Sequence, residues 1–338
     1  MIHCRRVKPL GNLTENTAGK LAHTFVSSTR YVVNRRIVSL LPSATEMVCA
    51  LGCGAQLVGR SHECDFPQEV TRLPVCSESK LQPDATSREI DEQIQDMLGA
   101  SLSIYQVNSL LIQELRPDLI LTQSQCDVCA ASEVDVAKAL GNWPGTPPQI
   151  ISLTPHRLAD VWADMGRVAA ALGVTENGRE VVLALKNRCV DVIAKACVLK
   201  RPRVACLEWL DPLMGAGNWV PELVDLAGGR NLFGEPGKHT GRLEWEQLCS
   251  ANPDFIIALP CGYNLAQTRA ELGSLSNLSG WAKLKAVRQG RVFFCDGSAF
   301  FNRSGPRLVE SLEILAEILH PKTFRFGHEG LGWERFKA

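Results

Sequence analysis

Four cysteines, one histidine and a set of carboxylates mark where this chain could do chemistry. Cys126-x-x-Cys129 has the spacing that holds one metal ion, or that forms a redox pair in a strand–loop–helix setting. Cys64 and Cys261 each follow a predicted strand, and His62 stands two residues before Cys64. Cys64, Cys126, Cys129 and Cys261 together would suit zinc, an iron–sulfur cluster or the metal of a bound cofactor, with His62 as a further ligand. The same thiols also read as reduced groups lining a polar cleft. Glu46, Glu63 and Asp65 have the chemistry for proton transfer, but no pattern identifies a bond they would break. No G-x-S-x-G elbow occurs, and neither His156 nor His239 sits in a triad context. Glycine-rich nucleotide fingerprints fail as well. Gly52-Cys53-Gly54 has Leu57 where the third glycine belongs, Gly215-Ala216-Gly217 has Val220, and Gly237-Lys238 is followed by His239 in place of Ser or Thr.

These residues fall at the ends of predicted strands. Arg36 to Leu41 is a short apolar run stopped by Pro42, and Ser43 or Thr45 caps the helix that follows. Pro42, Ser43 and Glu46 therefore follow strand one, His62 to Asp65 follow strand two, and the CxxC pair follows a buried-type strand at Asp118–Thr122. In the second half the strand ends are Glu208-Trp209-Leu210-Asp211-Pro212, Pro260-Cys261-Gly262-Tyr263 and Asp296-Gly297-Ser298-Ala299-Phe300-Phe301. In a parallel sheet such ends share one rim. Trp209, Trp219, Tyr263, Phe300 and Phe301 are then expected to line a wide groove, with Glu208 and Asp211 accepting hydrogen bonds from its ligand.

Residues 156–199 carry two apolar stripes at helical spacing, separated by a Gly173–Gly178 break. The flanking halves echo each other: Arg116-Pro117-Asp118-Leu119-Ile120-Leu121 matches Asn252-Pro253-Asp254-Phe255-Ile256-Ile257. Strands alternating with helices predict an α/β fold of two Rossmann-like lobes joined by a long backbone helix, with a ligand cleft between the lobes. The expected segments are a basic, disordered leader over 1–35, an N-terminal lobe over 36–155, connecting helices over 156–200, a C-terminal lobe over 201–320 and a tail over 321–338. His320 and His328 are expected to face solvent in that tail.

Lys+Arg 36 against Asp+Glu 36 leaves no net charge, so the basic surplus that nucleic-acid binding needs is missing. No apolar run approaches the ~20 residues that span a bilayer, so no membrane insertion is expected. Thirteen cysteines, an odd number in a chain of 338 residues, fit a reducing compartment. The first 35 residues are basic and lack the apolar centre of a secretory signal, so a cytoplasmic location is expected, or a periplasmic one if the start site is wrong.

The Arg36–Glu46 segment, the Arg116-Pro117-Asp118 turn and Gly290-Arg291-Val292 resemble the cluster-III periplasmic binding proteins, the vitamin B12, iron-siderophore and haem receptors of ABC importers. More narrowly, His62-Glu63-Cys64-Asp65, Cys126-x-x-Cys129, Glu208-Trp209-Leu210-Asp211-Pro212 and Pro260-Cys261-Gly262 are similar to the cobalamin-binding branch. The resemblance spans about residues 36–320. It implies two lobes bridged by a helix near 176–199, a shallow cleft that closes little, binding without catalysis, cobalamin or a related corrinoid or metal chelate as ligand, and an ABC transporter permease as partner. The other reading is a cytoplasmic metal- or iron–sulfur-binding protein, an enzyme among its possibilities, that uses the cleft cysteines.

Overall fold

Two Pro-Asp turns set the registers from which the rest of the fold follows. In the computed structural model, which describes residues 34–82, 85–125, 130–141, 143–239 and 241–337, Arg116 and Asn252 end their helices with left-handed backbones (φ 43° and 41°). Each is followed by Pro-Asp. Asp118 Oδ2 accepts from the Arg36 amide at 2.8 Å, and Asp254 Oδ2 accepts from the Arg203 amide at the same distance. Each aspartate thereby pins its own strand to the first strand of its half, and the sequence repeat becomes a structural one.

In chain order the first half runs β1 (Ile37–Ser39), α1 (Pro42–Ala50), β2 (Leu57–Arg60), β3 (Ser77–Ser79), α2 (Ser87–Gly99), β4 (Tyr105–Val107), α3 (Ser109–Leu115), β5 (Leu119–Gln123), α4 (Glu133–Ala139) and β6 (Gln149–Leu153). Its main sheet has the order β2-β1-β5-β6, all parallel. Helices on both faces bury β5 along its whole length, as parallel sheets require. Pro42, whose ring presets a helical φ, opens α1 directly after β1. Thr86 and Glu89 form a reciprocal capping box that starts α2.

Two helices follow, α5 (Leu158–Ala171) and α6 (Thr175–Ala196). The 22 residues of α6 span roughly 33 Å and make it the connecting helix of the fold. It packs on α5 through Gly178, where a Cβ would stand 2.4 Å from the Ala169 Cβ. Gly178→Val is expected to lower unfolding stability by about 2 kcal/mol or more through overpacking of this crossing. An unchanged urea midpoint would contradict the close approach.

The second half runs β7 (Arg203–Leu210), β8 (Leu213–Gly215), α7 (Val220–Leu226), β9 (Arg230–Asn231), β10 (Gly241–Arg242), α8 (Trp245–Ala251), β11 (Phe255–Ala258), α9 (Leu265–Leu275), α10 (Lys285–Arg288), β12 (Val292–Cys295), α11 (Leu308–Leu319) and β13 (Trp333–Arg335). The sheet order is β10-β8-β7-β11-β12-β13, with β9 beside the start of β7. β7, β11 and β12 are parallel, whereas β8, β10 and β13 run antiparallel to their neighbours, so this sheet is mixed. One apolar core unites α1, α5, α6, α7 and α11 with both sheets.

The final residues depart from the expected tail. β13 adds an edge strand to β12, and Trp333 is buried. Two buried carboxylates of α11 capture the segment. Glu317 accepts from the amides of Phe326, Gly327 and His328 and from Trp333 Nε1, and Glu313 accepts from Arg188 and from His328 Nε2 at 3.0 Å. His328 is therefore a bonded, half-buried group, and His320 reaches the Gly228 carbonyl at 3.4 Å; neither simply faces solvent as expected. Of the expected leader over 1–35, residues 1–33 lie outside the described residues.

Candidate ligand-binding cleft

The carboxyl ends of the parallel strands in both halves meet around one open cleft. From the first half come Leu41, Pro42 and Ser43 after β1, Glu63 after β2, and Gln123 with Gln125 at the end of β5. From the second come Glu208 near the end of β7, Asn218, Trp219 and Val220 at the start of α7, Cys261 after β11, and Ser298 with Phe301 to Ser304 after β12. Trp219 is held as a fixed wall, because its indole Nε1 donates to the Phe301 carbonyl at 2.8 Å. The Glu208 carboxylate accepts from the Gly217 amide at 3.1 Å, which fixes the loop leading into α7.

The floor is an ion-pair cluster that crosses the molecule. Arg303, only 6% exposed, donates from Nη1 to Glu46 Oε1 (3.0 Å) and Asp65 Oδ1 (2.6 Å) and from Nη2 to Asp65 Oδ2 (3.1 Å) and the Glu63 carbonyl (3.5 Å). Arg307 approaches Glu46 at 3.8 Å, and its guanidinium lies 4.2 Å and 4.3 Å from the ring centres of Phe66 and Phe300. Burial pushes the Glu46 carboxyl up to about 7 against the opposing pull of Arg303 and Arg307, and burial likewise raises Glu63 to about 7. Charged forms lose hydration there, and the guanidinium restores only part of it. The second oxygen of Glu46 has no hydrogen-bond partner.

The expected site residues separate into two groups. Pro42, Ser43, Glu63, Glu208, Trp219 and Cys261 line the cleft. Glu46, Asp65 and Phe300 sit behind its wall, in the arginine cluster. Trp209 packs on Tyr263 (5.4 Å between ring centres) and donates to the carbonyls of Ser87 and Asp211, while the Asp211 carboxylate takes a bidentate contact from Arg88. His62 points to Ser77 and Tyr105 instead, and burial lowers its pKa. These side chains are spent on holding the two halves and their loops in place, which corrects the broad aromatic groove: Trp219 keeps only an edge toward the cleft, and the Phe301 side chain beside it is fully buried.

The expected metal quartet finds no support among its described members. Cys64 is buried beside Thr45 (3.1 Å) and Ser61 (3.3 Å), and burial raises its pKa, which favours the thiol over the metal-binding thiolate. Cys126 and Cys129 lie outside the described residues, and of the two described members Cys261 lies in the cleft wall and Cys64 does not. Among the described residues no group of three or more His, Cys, Asp or Glu is placed to hold a metal ion. The cysteine-rich cleft expected from the spacing is therefore unsupported.

Gln123 and Gln125 belong to the strand-end segment that carries the CxxC pair, whereas sequence reasoning missed Arg303, Asn218 and Ser304. Arg303 and Ser304 lie just past the strand-end segment that closes at Phe301, so extending that segment by three residues would have included both. Asn218 carried no local signal, and its left-handed backbone (φ 52°) appears only in the fold.

Two α/β halves, a connecting helix and a cleft at the facing strand ends define a solute-binding protein of the two-lobe type. The chain belongs to the periplasmic binding protein family, whose pattern matches residues 37–299, and within it to cluster III. Members of this family bind solutes without transforming them and deliver them to ABC transporter permeases. The chain is 25% identical over 302 residues to an ABC transporter substrate-binding lipoprotein of Bacillus subtilis, covering 86% of this chain and 82% of the relative. It is 24% identical to the vitamin B12-binding protein of Pectobacterium atrosepticum over 82% of this chain and 86% of that one. In structure it matches a periplasmic heme binding protein from Pseudomonas aeruginosa with a TM-score of 0.67 at 20% identity, covering 90% of this chain and 98% of the other. A lipoprotein and periplasmic proteins as relatives overturn the cytoplasmic location and indicate an extracytoplasmic one. Among the described residues no helix is long and apolar enough to cross a membrane.

Proposed function

We propose that this chain is the substrate-binding component of an ABC-type uptake system and takes cobalamin or a related corrinoid in the cleft between its lobes, without catalysis. The observation that carries the reading is the make-up of the cleft. Leu41 and the edge of Trp219 supply apolar contact area, and Ser43, Gln125 and Ser304 place hydroxyl and amide groups around it. A rigid aromatic wall with convergent polar groups suits a flat chelate with a hydrogen-bonding periphery. The B12-binding relatives support the same choice, and an ABC permease is the partner the family implies. The Arg303 cluster contributes rigidity: it ties residues after β12 to α1 and to the loop after β2, so the two walls keep their spacing.

Equilibrium dialysis of the purified chain against cyanocobalamin, read together with tryptophan fluorescence, tests this. The expected result is one corrinoid retained per chain with quenching that is reduced in Trp219→Phe. A chain that retains no corrinoid and shows no quenching at millimolar cyanocobalamin sinks the reading.

A further inference from the structure

The connecting helix α6 has two apolar faces, and the core uses only one of them. Gly178, Cys189, Val192 and Ala196 are buried against the rest of the molecule. On the opposite side Leu183, Val190 and Val198 are 59%, 57% and 80% exposed, and Ala184, Ala194 and Cys197 are exposed with them. Single exposed apolar side chains are ordinary on a protein surface. These are not scattered. Leu183, Asn187, Val190, Ala194 and Cys197 follow one another at steps of four, three, four and three, which is the spacing of a coiled-coil seam. Charged residues close the run at both ends, Glu176, Arg179 and Glu180 before it and Lys200 and Arg201 after it.

We infer that this face of α6 is an interface at which two copies of the chain pair in parallel, along a two-fold axis that follows the helices. The charges beside the seam fit a second copy. In a parallel pair, the residue just before one seam position faces the residue just after the next on the partner, and opposite charges there set the orientation. Lys186 and Asp191 occupy those two places. Both are exposed, and neither has an ion pair among the described residues. Lys186 then meets the partner's Asp191, twice by symmetry. Asn187 meets the partner's Asn187, and a polar residue at one such position fixes register and partner number. An antiparallel pair would set Asn187 against an apolar seam position and place Lys186 and Asp191 on opposite flanks. Cys197, a free thiol at the last seam position, meets the partner's Cys197. No seam residue lines the cleft, so pairing takes nothing from the ligand site. The helix is already folded in the single chain, so pairing costs little ordering, but the short seam makes the dimer weak and reversible.

Sedimentation velocity of the full chain, from micromolar to submillimolar concentration, is expected to show a reversible monomer–dimer equilibrium. Val190→Glu, a change at an exposed position, is expected to abolish the dimer with an unchanged thermal midpoint. Lys186→Glu is expected to weaken association several-fold, and adding Asp191→Lys is expected to restore it. Diamide, a thiol oxidant, takes up the two electrons and two protons that a pair of Cys197 thiols lose as their S–S bond forms. It is expected to give a covalent dimer that Cys197→Ser does not form. A chain that stays monomeric throughout the range overturns the inference. So does a dimer that Val190→Glu leaves intact, or one that lacks either the charge-swap rescue or the Cys197 cross-link.

Discussion

Arg303→Met is expected to cost about 3–5 kcal/mol of unfolding free energy near neutral pH, the range for removing one partner of a buried ion pair. The loss arises because Glu46, only 2% exposed, keeps its burial but loses its closest counter-charge and retains only Arg307 at 3.8 Å. The pH dependence identifies the mechanism. The folded-state pKa of Glu46 is raised from 4.5 to about 7. A raised carboxyl contributes stability that is fully present below pH 4.5 and is lost as pH rises through 7, on the order of 3 kcal/mol for this shift. Glu63 acts in the same direction, with a smaller contribution because its side chain is partly exposed. Removing Arg303 takes away an interaction that lowers the Glu46 pKa, so the loss in Arg303→Met continues to higher pH. Urea denaturation from pH 5 to 8.5 is expected to show a steeper decline in Arg303→Met than in the native chain, and a flatter one in Glu46→Gln. Identical slopes in all three chains would show that the cluster is not coupled to proton uptake.

Loosening the α2 clasp is the second large effect. The first turn of α2 is fastened to the second half beside Glu208. Ser87 Oγ donates to Glu271 at 2.6 Å, Arg88 makes a bidentate contact with Asp211 at 2.8 and 3.0 Å, and Asp91 accepts from Arg242 at 3.2 Å. Each exposed contact contributes about 0.2–1 kcal/mol on its own, but they act on one helix and so add to its opening free energy. Asp211→Asn combined with Glu271→Gln is expected to lower amide-exchange protection of α2 about tenfold or more, with little change elsewhere. Unchanged exchange in α2 would show that other contacts hold the helix.

Much of this was legible in short stretches of sequence. Pro42 after an apolar run and the twin Pro-Asp turns each act within a few residues, so their signals survive without the fold. The strand ends were legible for the same reason, and six of the expected site residues do line the cleft: Pro42, Ser43, Glu63, Glu208, Trp219 and Cys261. The expected tail failed for the opposite reason. Nothing between 321 and 338 announces a strand, and Trp333 is drawn in by Glu317 and by the open edge of β12, which exist only once α11 and the second sheet have formed.

The sequence by itself determined the α/β alternation, the internal repeat and the rim of strand ends, because strand periodicity and turn chemistry are local. Only the tertiary structure decided which rim residues line the cleft and which pair with one another. Glu46 and Arg303 are 257 positions apart, and Ser43 and Ser304 are 261 apart. Whether a carboxylate is a ligand contact or the buried partner of an arginine depends on desolvation by segments that distant. That desolvation leaves no trace in the residues on either side.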